Sequence, residues 1–134
     1  MPIEATIILR LLLAGALGAI IGFQRERAGK PAGLRTHILI CLVAALFTAA
    51  SIYGFGPASD PARVAAGILT GIGFLGAGAI IRPAGEGVVA GLTTAATIWT
   101  AAAIGLAAGA GMYLVATATT VMVLIVLCLP HIRG

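Results

Sequence analysis

Charge is scarce in this chain, and acid scarcest of all. Asp and Glu number four, namely Glu4, Glu26, Asp60 and Glu86, against eight Lys and Arg, and charged residues make up 9% of the 134. An ordinary soluble domain carries about a quarter charged residues. With 60% hydrophobic content and a mean hydropathy of +1.14, a water-facing surface is excluded. Cysteine is equally thin. Cys41 and Cys128 both lie in apolar runs, where a thiol packs as a small hydrophobe and forms no disulfide framework. The start, Met1 to Glu4, lacks the basic stretch of a secretory signal, so the first apolar segment is expected to remain in place. No nucleophile and base pair, metal-ligand cluster or phosphate loop stands out, which argues against an enzyme and assigns no cofactor. No nucleic-acid partner is expected.

Long apolar runs are what the chain does have. About twenty residues at roughly 1.5 Å each cross the hydrocarbon core of a bilayer, and breaks at Gly, Pro and charge clusters divide the chain into five such runs. They fall at about Ile3 to Phe23, Leu34 to Tyr53, Arg63 to Ile81, Val88 to Ala108 and Met112 to Leu129. Residues Arg82, Pro83, Gly85 and Glu86 mark a loop. Gly105, Gly109 and Gly111 allow either a tight turn between the last two runs or one long kinked segment, which would make four. Runs such as Val121 to Leu127 do not alternate, so helices are predicted and a barrel is not. The fold class is all-α, a polytopic membrane bundle in one domain, residues 1–134.

Basic residues in short loops stay on the cytoplasmic side. Arg25, Arg27, Lys30 and Arg35 bracket the first loop, and placing it inside brings Arg82 and Arg133 inside too. Five helices then put the N-terminus out and the C-terminus in. The same four residues are candidates for binding anionic headgroups or phosphates, with a plain topology signal as the simpler reading.

Small residues recur at helical spacing. Gly18 and Gly22 stand four apart, as do Gly67 and Gly71, each pair on one helix face where backbones approach closely. Either they pack helices within the chain or they form a homodimer seam. Gly71, Gly73 and Gly76 spell a dinucleotide-type G-x-G-x-x-G, but neither a preceding strand nor the acidic residue some twenty positions on is present. The run from Gly71 to Gly78 reads instead as a thin or broken stretch of membrane helix.

Polar residues at membrane depth point to function by default. Arg10 lies about two turns into the first run, free to snorkel or to meet Glu4 or Asp60. Thr93, Thr97 and Thr100 share a helix face; back-bonding to their own helix is the plain reading, a polar strip facing a cavity the other. Arg10, Glu26, Arg35, Arg63, Thr93 and Thr97 are the residues expected to face protein or cavity and not lipid.

Four strings together resemble the MgtC/SapB family of bacterial inner-membrane proteins: I-G-F-Q-R-E at Ile21 to Glu26, K-P-A-G-L-R-T-H at Lys30 to His37, R-V-A-A-G-I-L-T-G-I-G-F-L-G-A-G at Arg63 to Gly78, and G-L-T-T-A-A-T-I-W at Gly91 to Trp99. The resemblance implies magnesium homeostasis, adaptation to low magnesium or acid, and in some members survival inside macrophages. It also brings in one partner, the F-type ATP synthase, and one ion, Mg2+; a homodimer or higher homo-oligomer is expected from the glycine-rich seams. Two departures stand out. Gly67 takes the place of the family's usual Gln, and no ACT-like soluble domain is read after Gly134.

A magnesium path needs oxygen ligands, commonly carboxylates. All four carboxylates here fall near span ends, and a net charge of +4 with Arg10 inside a span opposes cation entry. Binding to membrane partners or anionic groups is therefore the favoured reading. Transport of Mg2+ or protons, through carbonyls exposed along Gly71 to Gly78, is the alternative.

Overall fold

The computed structural model describes residues 2–80 and 91–130. Five helices follow one another: α1 (Ile3–Arg27), α2 (Leu34–Tyr53), α3 (Pro61–Ala79), α4 (Leu92–Gly109) and α5 (Tyr113–Leu127). Four of them have the length and apolar character to cross a membrane, and α5 is a shorter apolar helix of 15 residues. At about 1.5 Å per residue α5 reaches roughly 22 Å, short of the ~30 Å hydrocarbon core. The turn at Ala110–Met112 separates α4 from α5, with Gly111 at φ +86°, where an L side chain would be strained. One long kinked segment is thereby excluded.

Local sequence explains where helices begin. Asp60 caps α3, its carboxylate accepting from Ala62 N at 3.0 Å with Pro61 in the first turn. Glu26 caps α2 from a distance, its Oε1 accepting from Leu34 N at 3.1 Å. The first helix runs on to Arg27, four residues past the expected end, so Arg25 and Glu26 hang from a helix and not from a loop. The third begins at Pro61, ahead of the expected Arg63. Ile81, Val88 and the loop residues Arg82, Pro83, Gly85 and Glu86 lie outside the described residues, as does Arg133.

The expected break at Gly71 to Gly78 is not there: α3 is continuous through all four of its later glycines. Glycine costs about 1 kcal/mol per residue in a helix in water. In hydrocarbon, releasing the backbone groups costs several times that for each one left unpaired, so the helix persists.

Side-chain size is sorted in the reverse of a soluble core. Ala14, Cys41, Ala45, Ala101 and Ala108 are wholly buried, whereas Leu12, Phe47, Phe74, Leu114 and Met122 point outward. When the surrounding solvent is as apolar as leucine, burial of large side chains gains little, and close backbone approach takes over. The bundle is built on that approach. A Cβ at Gly18 would stand 2.6 Å from His37 O, and one at Gly22 would stand 2.8 Å from Leu34 Cα. From α4, a Cβ at Gly105 would collide with Cys41 O, and one at Gly109 with Ala45 O. The backbones of α1 and α4 thus both lie tight against α2, these three helices packing on one another, and α4 packs against each of the other four helices.

Of the other glycines proposed for packing, Gly76 stands against Trp99 and Ala95, and a Cβ at Gly73 would stand 3.5 Å from Trp99. Among the described residues, Gly67, Gly71 and Gly78 meet no atom within 4 Å of a built Cβ, so they pack against none of the five helices. Gly105→Leu should therefore lower stability by at least about 1–3 kcal/mol, the range for overpacking, while Gly71→Leu leaves the monomer near wild type. Melting temperatures of detergent-purified variants check this, and equal losses for the two would contradict it.

Candidate functional site

Polar side chains gather in two layers, one at each end of the bundle. The first surrounds Arg10. Its Nε donates to Tyr113 Oη at 2.9 Å and its Nη1 to Gly109 O at 3.1 Å, while the guanidinium lies 5.3 Å from the ring centre of Tyr53 and 5.8 Å from that of Tyr113. Arg10 neither pairs with Glu4 nor reaches Asp60; two tyrosines and a helix C-terminal carbonyl hold it. Both partners suit a cation, the rings through their electron-rich faces and Gly109 O through the negative end of α4. The layer ties α1, α2, α4 and α5 together.

The second layer lies where α1 ends and α2 and α4 begin. Arg25 is 3% exposed and His37 fully buried. Arg25 Nη2 donates to Thr94 Oγ1 at 2.6 Å, and its Nε is buried without a partner, as is Gln24 Oε1. Neighbouring helix positions point about 100° apart, so Gln24 and Arg25 do not satisfy each other. His37 bridges α2 to α4, with Nδ1 2.9 Å from Gly33 O and Nε2 3.0 Å from Thr97 Oγ1. Gly33 O only accepts, so Nδ1 carries a proton. The Thr97 hydroxyl has one proton and two acceptors in reach, His37 Nε2 and Thr94 O at 2.9 Å. It donates to the ring when the imidazole is neutral, and to Thr94 O when Nε2 itself carries a proton.

The structure distributes the sequence-derived candidates unevenly. Thr97 and Arg10 occupy the two layers, and Glu26 caps α2 from an exposed position. Arg35, Arg63 and Thr93 are exposed, against the expectation that they face protein or cavity. Arg35 and Arg63 stand in the first turns of their helices and reach outward, so burial is not forced on them. Thr93, Thr97 and Thr100 do share one face by spacing, but the inward pair is Thr94 and Thr97, three apart. Thr100 bonds back to Ala96 O at 2.7 Å, as do Thr48, Thr70, Thr117 and Thr120 to their own helices. Of the four basic residues at the first loop, Arg27, Lys30 and Arg35 are exposed and Arg25 turns inward.

Sequence reasoning gave His37 no inward role and passed over Thr94. A histidine one turn into an apolar helix was the available signal for the first. For Thr94 there was none, because a Thr-Thr pair does not declare which member faces in.

Among the described residues no group of three or more His, Cys, Asp or Glu is placed to hold a metal ion. An apolar groove of about 620 Å3 runs between α2 and α3, past Phe47, Gly67, Gly71 and Leu75. A smaller cavity of about 390 Å3 lies beside Thr94, lined also by Pro31, Ala32, Thr36, Gly78 and Ala79.

These features define a multi-pass helical membrane protein with a glycine-clasped core and an arginine at either end of it. The chain belongs to the MgtC family, whose model matches residues 11–132. It is 46% identical to YhiD of Escherichia coli K12, named as a candidate magnesium transporter, over 95% of this chain and 61% of that protein. It is 43% identical to SapB of Bacillus subtilis, over 92% of this chain and 56% of SapB. With MgtC of Salmonella typhimurium the identity is 48%, over 87% of this chain and 49% of MgtC. The chain thus spans about half to three fifths of the length of these relatives. No solved structure matches it.

The His37 layer has a measurable cost of loss. Thr97→Val leaves Nε2 buried without a partner and should destabilise by about 1–3 kcal/mol. Thr100→Val, which removes only a back-bond, should cost well under half of that. Thermal unfolding in detergent measures the two, and a Thr100 effect equal to that of Thr97 would contradict the bridge.

Proposed function

We propose that this chain serves magnesium homeostasis in the bacterial inner membrane by binding, to membrane partners or to anionic groups at its basic rim, and not by conducting an ion. The observation that carries this reading is the packing between the two polar layers. Leu17, Ile21, Cys41, Ala45, Ala101, Ile104 and Ala108, all at 0–4% exposure, fill the space between Arg10 at one end and Arg25 and His37 at the other. A hydrated or carbonyl-lined path needs polar groups along its length. Here the continuous helix of α3 keeps its carbonyls in its own hydrogen bonds, and the groove beside it is lined by apolar side chains and glycine. A guanidinium at each end of the bundle adds a repulsive field for any cation.

Magnesium enters through the family, and the transporter reading through the name carried by YhiD. The basic rim, with Arg27, Lys30 and Arg35 exposed, supports placing that end at the cytoplasmic face with the N-terminus out. The open glycines Gly67 and Gly71 support contact with another membrane helix, from a second copy or from a different protein. Low-magnesium and acid adaptation, and a partner such as the F-type ATP synthase, belong to the same reading.

Liposomes carrying the purified protein and a luminal Mg2+ dye provide the test. Influx should match protein-free liposomes, with and without a proton gradient. Saturable influx that disappears on Arg10→Ala would overturn the proposal in favour of transport.

A further inference from the structure

The third helix is anchored differently at its two ends. Near the end of α2, Ser51 Oγ donates to Pro61 O at 3.2 Å and ties the start of α3 to that helix. Toward its other end α3 leans on α4, where a Cβ at Gly76 would stand 3.1 Å from Trp99 Nε1. Between these anchorages lies the apolar groove of about 620 Å3, walled among the described residues by α2 and α3 alone. Ile40, Ile68 and Ile72, at 8–9% exposure, form its floor. Leu39, Val43 and Phe47 follow one another at four-residue spacing along the α2 wall. The α3 wall lacks bulk because Gly67 and Gly71 stand there, where a Cβ would meet nothing. From Val64 to Leu75 the groove runs for about 16 Å at 1.5 Å per residue. That is close to the depth of one leaflet, half of the ~30 Å hydrocarbon core.

The two mouths of the groove differ in charge. One turn beyond Leu39, on the same face of α2, stands Arg35, exposed at the rim that also carries Arg27 and Lys30 against the single acid Glu26. At the other mouth Arg63 stands one turn from Gly67, but Asp60 shares that helix start and balances its charge. The α2 face there continues from Phe47 to Ser51, which is buried and committed to Pro61. One mouth is thus basic and the other neutral and bridged.

We infer that this groove is a slot for one acyl chain of an anionic phospholipid, whose phosphate meets Arg35 at the basic mouth. Floor and walls surround the chain on more sides than neighbouring lipid contact on a flat helix face allows, and the guanidinium supplies charge-assisted hydrogen bonds to the phosphate. The exposed cations of the rim add attraction for an acidic headgroup over a zwitterionic one. A partner helix would use the same glycines, and the basic mouth is what favours a lipid over it. The inference rests on the binding reading above and gives its anionic group a chemical class.

The test uses the full chain, delipidated in detergent, with retained lipid counted by native mass spectrometry. Phosphatidylglycerol and phosphatidylethanolamine with the same acyl chains are added in separate arms. Wild type should retain one phosphatidylglycerol, several-fold more firmly than phosphatidylethanolamine. Gly71→Leu fills the groove and should lower retention at least about tenfold; Gly67→Leu does the same and decides the matter if Gly71→Leu fails to fold. Arg35→Gln should weaken phosphatidylglycerol several-fold and leave phosphatidylethanolamine unchanged. Arg63→Gln at the other mouth, and Leu114→Ala on the outer face of α5, should change either by less than about twofold. No preference for phosphatidylglycerol, unaltered retention in both glycine variants, or equal loss for Arg63→Gln and Arg35→Gln overturns the slot. So does a wild-type dimer that Gly71→Leu turns into a monomer, because the occupant is then a second copy. Absent retention together with absent Mg2+ influx removes this site alone, whereas influx removes the binding reading whatever the lipid count.

Discussion

The closeness of α2 to α1 and α4 is the constraint from which the rest of the bundle follows. Hydrocarbon gives helices no reason to hide leucine. What it rewards is contact density, and glycine permits the densest contact of all. Gly18 and Gly22 on α1 let its backbone touch α2, and Gly105 and Gly109 do the same for α4, both helices meeting α2 at Cys41. At those distances α1 and α4 have little freedom to slide, and the polar groups they carry are held in register. Thr97 is brought under His37 and Thr94 beside Arg25. At the far end the same seam places Gly109 O within reach of Arg10.

That arrangement separates the two kinds of polar chemistry in the molecule. Arg10 is satisfied, with two aromatic rings and two hydrogen bonds around it, and it acts as a clamp across four helices. Arg25 is incompletely satisfied, held by a single hydroxyl at a helix N-terminus. Residues of equal charge thus have unequal prospects. The difference lies in whether the surroundings already supply electron density. It also underlies the proposal that no ion is conducted, which rests on a core closed with alanine and isoleucine between two guanidinium groups.

Much of the fold was legible in the sequence. Apolar runs of the right length gave five helices and the all-α class, and α2 has the bounds expected for it. The Gly18 and Gly22 pair was readable as a packing face because spacing of four sets both on one side of a helix. Gly105 and Gly109 have the same spacing but were read as turn formers, since their position near a presumed span end gave them a second meaning. The glycines of α3 misled in the opposite sense: their density suggested a break, yet hydrocarbon makes an unpaired backbone dearer than a glycine-rich helix. For the site, charge type and depth picked out Arg10, but inward direction escaped the sequence. Arg25, grouped with the basic rim, turns into the protein, and Thr94 does so in place of Thr93. Side-chain direction near a helix end depends on which neighbours arrive there, and that is a tertiary fact.

The clasp on α2 is most directly tested by solid-state NMR of labelled protein in lipid bilayers, read for through-space contacts between glycine Cα atoms and the α2 backbone. Strong direct cross-peaks are expected from Gly105 Cα to Cys41 Cα and from Gly18 Cα to the His37 carbonyl. Well-resolved, assigned spectra in which both pairs are silent would contradict the account, and with it the register that brings Arg25, His37, Thr94 and Thr97 together.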